Sequence, residues 1–256
     1  MLRRSLKKQL KLRALFDVLG DVSGQRCLLI TNGDNNGAMN WHFRARGGAW
    51  VWGDLAGENL REMAELLGEP VLRLPEDRLP FPDGQFDCVV LLDVLEHLSE
   101  DQTLLREVRR ALRPGGRAVV TVPNGDPRLL ANRLRRRIGM TPEVYGHTRA
   151  GYTLAELSEA VERAGFRAAR QGGYSRLFTE LVEMAINTSY VFVLARKRAA
   201  PGQIAPTSSG DMKRHGAAYQ LYSAAFPVLR TLSSLDRLLP GEANYAVIVE
   251  GVAPSQ

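Results

Sequence analysis

Cys27-Leu28-Leu29-Ile30-Thr31-Asn32-Gly33-Asp34-Asn35-Asn36-Gly37-Ala38-Met39-Asn40 is the stretch that decides how the rest of the chain is read. A short apolar run, suited to a buried strand, breaks into a loop of Gly, Asn and Asp before a helical segment resumes. That is the outline of a strand, a ligand-cradling turn and a helix. Gly33 and Gly37 supply the positive φ and close backbone approach such a turn needs, and Asn and Asp are the next most tolerant residues. Asn35 stands where a nucleotide loop more often carries a second glycine. The loop therefore lacks a complete G-x-G-x-x-G, which weakens a nicotinamide-dinucleotide oxidoreductase reading.

Outward from this stretch, strand-like and helical patterns alternate. Upstream, Leu2, Leu6, Leu10, Ala14 and Val18 recur at helical spacing, ending at Gly20 or Gly24. Downstream, short apolar runs at 49–52, 71–74, 86–92, 117–122, 166–170 and 244–252 read as strands after the first at 26–30. Helical patterns fill 39–46 and 60–67. Ser99 with Gln102, and Thr153 with Glu156, fit capping boxes for two more helices. The run at 86–92 is nearly all apolar, as a parallel strand buried on both faces must be. This alternation implies an α/β, doubly wound parallel sheet.

Four units are expected: an amphipathic helix over 1–24, a core over 25–174, a helical cap or insertion over 175–240, and a last strand with its tail over 241–256. Within the cap, one helix over 177–197 is preferred to a helix plus a strand at 190–194. A flexible Pro-, Ser- and Gly-rich connection covers 201–211. An amphipathic pattern follows from Ala218 to Leu239, kinked or interrupted at Pro227.

The 256 residues are 45% hydrophobic and 24% charged, which excludes a largely disordered chain. No apolar run approaches the roughly 18 residues of a membrane span. Cys27 and Cys88 both lie in apolar runs and read as buried thiols of a reducing cytoplasm. The net charge of +6 is modest, but its placement is uneven. Arg3, Arg4, Lys7, Lys8, Lys11 and Arg13 precede the first acid, and Arg128, Arg133 and Arg135 to Arg137 form a second cluster. Solvated helix faces account for either cluster, and so does contact with anionic lipid, a phosphorylated substrate or nucleic acid. Nucleic acid is a weak reading, because the basic residues lack interleaved aromatics.

In a doubly wound sheet, ligands bind beyond the carboxyl ends of the strands. Gly33 follows the first strand. Asp54 follows the second, where a carboxylate can accept hydrogen bonds from ribose hydroxyls. Glu76 and Asp77 follow the third, and Asp93 the fourth. Four consecutive strand ends thus offer small or acidic residues to one crevice.

The ordered set Leu29 to Gly37, Gly53-Asp54-Leu55, Leu79 to Leu98 and Leu112-Arg113-Pro114-Gly115-Gly116-Arg117 resembles the class I S-adenosylmethionine-dependent methyltransferases, in the branch of the ubiquinone-biosynthesis O-methyltransferases. The resemblance covers roughly residues 25 to 170. It implies a Rossmann-like, seven-stranded, mostly parallel sheet with its last strand antiparallel, and S-adenosylmethionine as cofactor. Carried over by position, Gly33, Asp34, Asn35 and Gly37 line the methionine and ribose part of the cofactor. Asp54 holds the ribose hydroxyls, Leu55 packs on adenine, Glu76 and Asp77 sit near the adenine edge, and Asp93 lies near the methionyl end. Three residues depart from the family pattern. Thr31 replaces an acid, Asn35 a glycine, and Pro75 an adenine-binding Asp, for which Asp77 is the nearby substitute.

A sulfonium methyl group is already electrophilic, so catalysis is chiefly in-line positioning of the acceptor, helped by a general base. His97 and His147 are the catalytic candidates. Asp93, Glu96 and His97 also match, with Asp in place of Glu, a metal-binding trio of some ubiquinone-type members. Because the same residues recur in members without a metal requirement, no metal site is assigned. The expected activity is O-methylation of a small acceptor, lipid-linked or saccharide. A cytoplasmic location, with peripheral contact at the inner face of an anionic membrane, accompanies it. The competing reading is a methyltransferase-like binding or scaffold protein with impaired cofactor binding.

Overall fold

The computed structural model describes residues 5–33, 37–189, 216–241 and 243–255. Asp34, Asn35, the expected connection over 201–211 and the end of the helix expected over 177–197 lie outside them. Among the described residues there are seven strands: β1 (Arg26–Thr31), β2 (Ala49–Asp54), β3 (Val71–Arg73), β4 (Phe86–Leu92), β5 (Leu112–Pro123), β6 (Arg167–Tyr174) and β7 (Ala246–Val252). They form one sheet in the order β3-β2-β1-β4-β5-β7-β6. The pairs from β3 to β5 are parallel, and β7 runs antiparallel to both β5 and β6. The strand order reverses direction between β1 and β4, which opens a crevice at their carboxyl ends.

The helices are α1 (Leu6–Leu19), α2 (Ala38–Arg44), α3 (Leu60–Leu67), α4 (Asp101–Ala111), α5 (Leu130–Arg137), α6 (Leu154–Arg163), α7 (Leu177–Ser189) and α8 (Gly216–Ser234). Successive strand residues point to opposite faces. Leu28 and Ile30 of β1 therefore join the core layer containing Leu104, Leu105 and Val108 of α4 and Leu157 and Val161 of α6. Cys27 and Leu29 join the other layer, with Leu12, Leu15 and Leu19 of α1 and Phe43 of α2. Each such side chain is worth about 1.5–3 kcal/mol when buried. The two layers explain why β1 and β4 read as continuous apolar runs. Cys27 and Cys88 are register partners on these strands, both buried and free.

Local signals hold in some places and yield in others. Thr153 caps α6 in a complete capping box with Glu156. The Ser99–Gln102 box does not form: Glu100 precedes α4 without a side-chain cap. Gln102 Nε2 instead donates to Ala160 O on α6 at 3.1 Å, a tertiary contact that outcompetes the local one. Pro114-Gly115-Gly116 ends α4 as expected but stays within β5, which is longer than the expected 117–122. Pro227 neither breaks nor interrupts α8. Gly20, with φ of 63°, closes α1 by donating its N–H to Phe16 O at 2.9 Å.

Candidate active site

The first wall of the crevice is the loop after β1. Gly33 has φ of 74°, and a Cβ there would lie 2.9 Å from Ala56 Cβ, so only glycine fits. Its N–H donates to Asp54 Oδ2 at 2.9 Å. The Thr31 hydroxyl donates to the same oxygen at 2.6 Å, and Gly57 N donates to Asp54 Oδ1 at 2.8 Å. Asn59 Nδ2 closes the loop from the far side on Gly33 O at 2.6 Å. Asp54 is fully buried. Its carboxylate thus organises the glycine loop from below, and a ribose hydroxyl would have to share it with these donors. The Thr31 hydroxyl donates its bond without bringing a second negative charge beside Asp54.

Gly37, with φ of 85°, starts α2. Leu55 is buried in the core layer with Leu28, Ile30 and Leu74, and its N–H is held by Thr31 O at 2.9 Å. Glu76 and Asp77 are exposed beyond β3. Gly33, Asp54 and Asp93 thus lie at the carboxyl ends of β1, β2 and β4 and Gly37 at the start of α2, with Glu76 and Asp77 exposed beyond β3.

Asp93 adopts a left-handed backbone, φ 50°, one of two such non-glycine residues described. Strained geometry of this kind persists where the surroundings enforce it, often at functional sites. Its N–H donates to Thr121 O at 3.0 Å, and Oδ2 forms an ion pair with Lys11 of α1. Oδ1 is buried with no hydrogen-bond partner. A carboxylate atom left open at the end of β4 suits the ammonium of a methionyl group, so the residues present fit S-adenosylmethionine.

Beyond β4 lies a 3-10 turn, Leu95–His97, and beyond β5 a second one, Pro142–Tyr145. They bring His97 and His147 together with ring centroids 4.6 Å apart, edge to face. His147 lines a cavity of about 240 Å³ with Tyr145, Met140, Asn124, Tyr245 and Arg135. Burial lowers the His97 pKa, against the opposing pull of its bond to Gly146 O and of Asp93. Burial lowers His147 further, to about 4, with His97 adding to the effect and Asp93 opposing it. Both imidazoles are neutral at pH 7. His147 is consequently a good hydrogen-bond acceptor and a weak base.

Glu180 of α7 is fully buried and holds two residues that line the cavity, Lys7 and Arg135. Lys7 of α1 approaches Oε1 at 2.8 Å, Arg135 of α5 pairs with Oε2, and Ser175 donates to Oε1. Burial alone would raise this carboxyl's pKa, but Lys7 and Arg135 hold it down at about 2. Sequence reading missed Glu180, although an acid in the apolar run Phe178 to Met184 was a usable signal. It also treated Lys7 and Lys11 as members of a surface cluster. Their spacing of four residues places both on one helix face, and that face turns inward.

The family profile described as "Methyltransferase domain" matches residues 33–120. Over 174 residues the chain is 30% identical to the demethylmenaquinone methyltransferase of Tropheryma whipplei (strain Twist), covering 60% of this chain and 72% of that protein. It is 31% identical over 115 residues to the ubiquinone/menaquinone biosynthesis C-methyltransferase UbiE of Nitrosospira multiformis, covering 42% and 47% of the two chains. Among solved structures it resembles the Haemonchus contortus phosphoethanolamine N-methyltransferase 2 in complex with S-adenosyl-L-methionine, at a TM-score of 0.59 and 16% identity, over 95% of this chain and 52% of that one. The S-adenosylmethionine-dependent methyltransferase of Mesorhizobium loti matches at a TM-score of 0.54 and 14% identity, over 94% and 96%. The two structural likenesses concern the fold. The chain belongs to the class I S-adenosylmethionine-dependent methyltransferases. It is an enzyme of that family with S-adenosylmethionine as cofactor, which sets aside the scaffold reading.

Proposed function

We propose that this methyltransferase acts on a hydroxyl oxygen of a small acceptor seated in the cavity beside His147. The presence of His147 on the cavity wall, neutral and within electrostatic reach of Asp93, is the observation that carries this reading, with Asp93 read here as the methionyl end of the cofactor site. Bound S-adenosylmethionine supplies the electrophilic methyl group. The chain's own residues position the acceptor: His147 accepts the hydrogen of its hydroxyl, and the cavity walls orient the oxygen. A base as weak as His147 suits an acidic hydroxyl. A phenolic acceptor, with a pKa near that of Tyr at about 10, therefore fits better than a saccharide. Relatives named for demethylmenaquinone and ubiquinone/menaquinone biosynthesis support an aromatic, lipid-linked acceptor, although the latter are named as C-methyltransferases.

Peripheral contact with an anionic membrane belongs to the same proposal. Leu130 and Leu134 are exposed four residues apart on α5, beside exposed Arg133, Arg136 and Arg137. This pairing of apolar and cationic side chains is that of a helix lying on a lipid surface. Among the described residues no helix is long and apolar enough to cross a membrane.

The test is incubation of the full chain with methyl-labelled S-adenosylmethionine and separate phenolic, hydroquinone and saccharide acceptors, with the methylated atom located by NMR. Label on a phenolic oxygen is the expected result. Methylation on carbon, or on the saccharide alone, would overturn the reading.

A further inference from the structure

The fold assembles a different trio from the one the sequence resemblance pointed to. Glu96, His97 and His147 place their ligand atoms within 4.8 Å of one another, whereas Asp93 is engaged by Lys11. We propose that Glu96, His97 and His147 bind a divalent transition-metal ion of the zinc class at the wall of the cavity. The site does not depend on which acceptor the enzyme uses, but an ion bound there takes the lone pair that His147 otherwise offers the acceptor hydroxyl, so the two uses of His147 alternate.

Two imidazoles and one carboxylate form a donor set for Zn²⁺, Co²⁺, Ni²⁺ or Fe²⁺. It is too rich in nitrogen for Mg²⁺ or Ca²⁺, which take oxygen ligands. His97 Nδ1 lies 3.1 Å from Gly146 O. A carbonyl oxygen only accepts, so the proton sits on Nδ1 and the lone pair on Nε2. That is how proteins fix a metal-binding histidine, with one ring nitrogen tied to a backbone carbonyl and the other left to the ion.

His147 is held with comparable firmness, although 50 residues separate it from His97. Thr148 N and Arg149 N donate to Glu96 O at 2.9 and 3.3 Å, and the Thr148 hydroxyl reaches the same oxygen at 3.0 Å. Gly146 on one side of His147 and Thr148 on the other are thus both stapled to the turn that carries Glu96 and His97. Ligand atoms around an ion with bonds of about 2.0–2.2 Å stand roughly 3–3.5 Å apart, so atoms that lie within 4.8 Å of one another must draw in by up to about 1.5 Å to hold one. Simple packing of two rings explains the edge-to-face contact. It does not require a carboxylate as the third member or a staple on each side of His147.

To test this, the full chain is stripped of metal by chelation and dialysis. It is then titrated with Co²⁺, read by visible d–d absorption, and with Zn²⁺ by calorimetry, without cofactor or acceptor. One ion per chain is expected, with the bands of a four- or five-coordinate Co²⁺. His97→Ala and His147→Ala, checked for folding by circular dichroism, should each weaken binding at least about tenfold. Asp93→Asn, which removes a nearby negative charge but no ligand, should weaken binding far less than either histidine change, which separates this trio from one containing Asp93. If His97→Ala fails to fold, His147→Gln carries the comparison. Absence of binding at millimolar Co²⁺ and Zn²⁺ overturns the proposal. So does undiminished binding in the histidine variants, or loss of binding in Asp93→Asn alone.

Discussion

Lys11 in α1 forms an ion pair with Asp93 at the end of β4, 82 residues away, and both side chains are only 14% exposed. The pair fastens the first helix across the carboxyl ends of the central strands. Removing one member leaves a charge in a poorly solvated place. Lys11→Met should therefore lower stability by about 3 kcal/mol in urea denaturation. The double variant Lys11→Met with Asp93→Asn should lose less than the sum of the single changes. Strict additivity would show that the two charges do not interact.

Thr31 is where this chain departs from its family's acid, and its hydroxyl is bonded to buried Asp54. A hydrogen bond to a charged group contributes about 1.5–3 kcal/mol. Thr31→Val, which keeps the shape and deletes the donor, should cost that much in chemical denaturation. Because Asp54 also holds Gly33 N and Gly57 N, the same variant should weaken S-adenosylmethionine binding in calorimetry. A loss of stability below about 0.5 kcal/mol would mean that the loop does not depend on Thr31.

The sheet was legible in the sequence because its central strands are buried on both faces, and burial writes itself as apolar runs such as Phe86 to Leu92. The strand-end residues followed from topology, since ligands gather where the carboxyl ends open. What escaped depends on partners distant in sequence. Lys7 meets Glu180 over a separation of 173 residues, and no local pattern encodes that pairing. The Ser99–Gln102 motif had the right spacing, but α6 offered Gln102 a carbonyl at 3.1 Å. His97 and His147 were each visible as candidates. Their contact was not, because it depends on the backbone bonds from Thr148 and Arg149 to Glu96 O.

The proposed membrane contact rests on α5 rather than on the N-terminal helix, two of whose cations, Lys7 and Lys11, face inward. Leu130→Ser with Leu134→Ser should reduce co-sedimentation with anionic phosphatidylserine vesicles at low salt. Raising the ionic strength should release the parent protein, since the arginine contribution is screened over about 8–10 Å at physiological salt. If the parent stays in the supernatant at low salt, α5 is not a lipid-binding face.

Glu180 gives the enzyme a defined acid sensitivity. Its carboxyl is held at about 2 in the folded chain, against the ordinary value of 4.5 once unfolded, because Lys7 and Arg135 outweigh the cost of its burial. The unfolded state therefore binds more protons as the pH drops below about 4.5. The stabilisation is fully present above that value and is lost progressively as the pH falls toward 2. Glu180→Gln removes the titrating group and leaves Lys7 and Arg135 facing a neutral amide. At pH 7 it should cost about 3 kcal/mol, the lower end for a broken buried pair, since both cations retain some solvent. Between pH 4.5 and 2 the stability of the variant should fall less steeply than that of the parent. Urea denaturation of both proteins across this range measures the difference in slope. Parallel pH profiles would show that acid unfolding proceeds through other carboxylates.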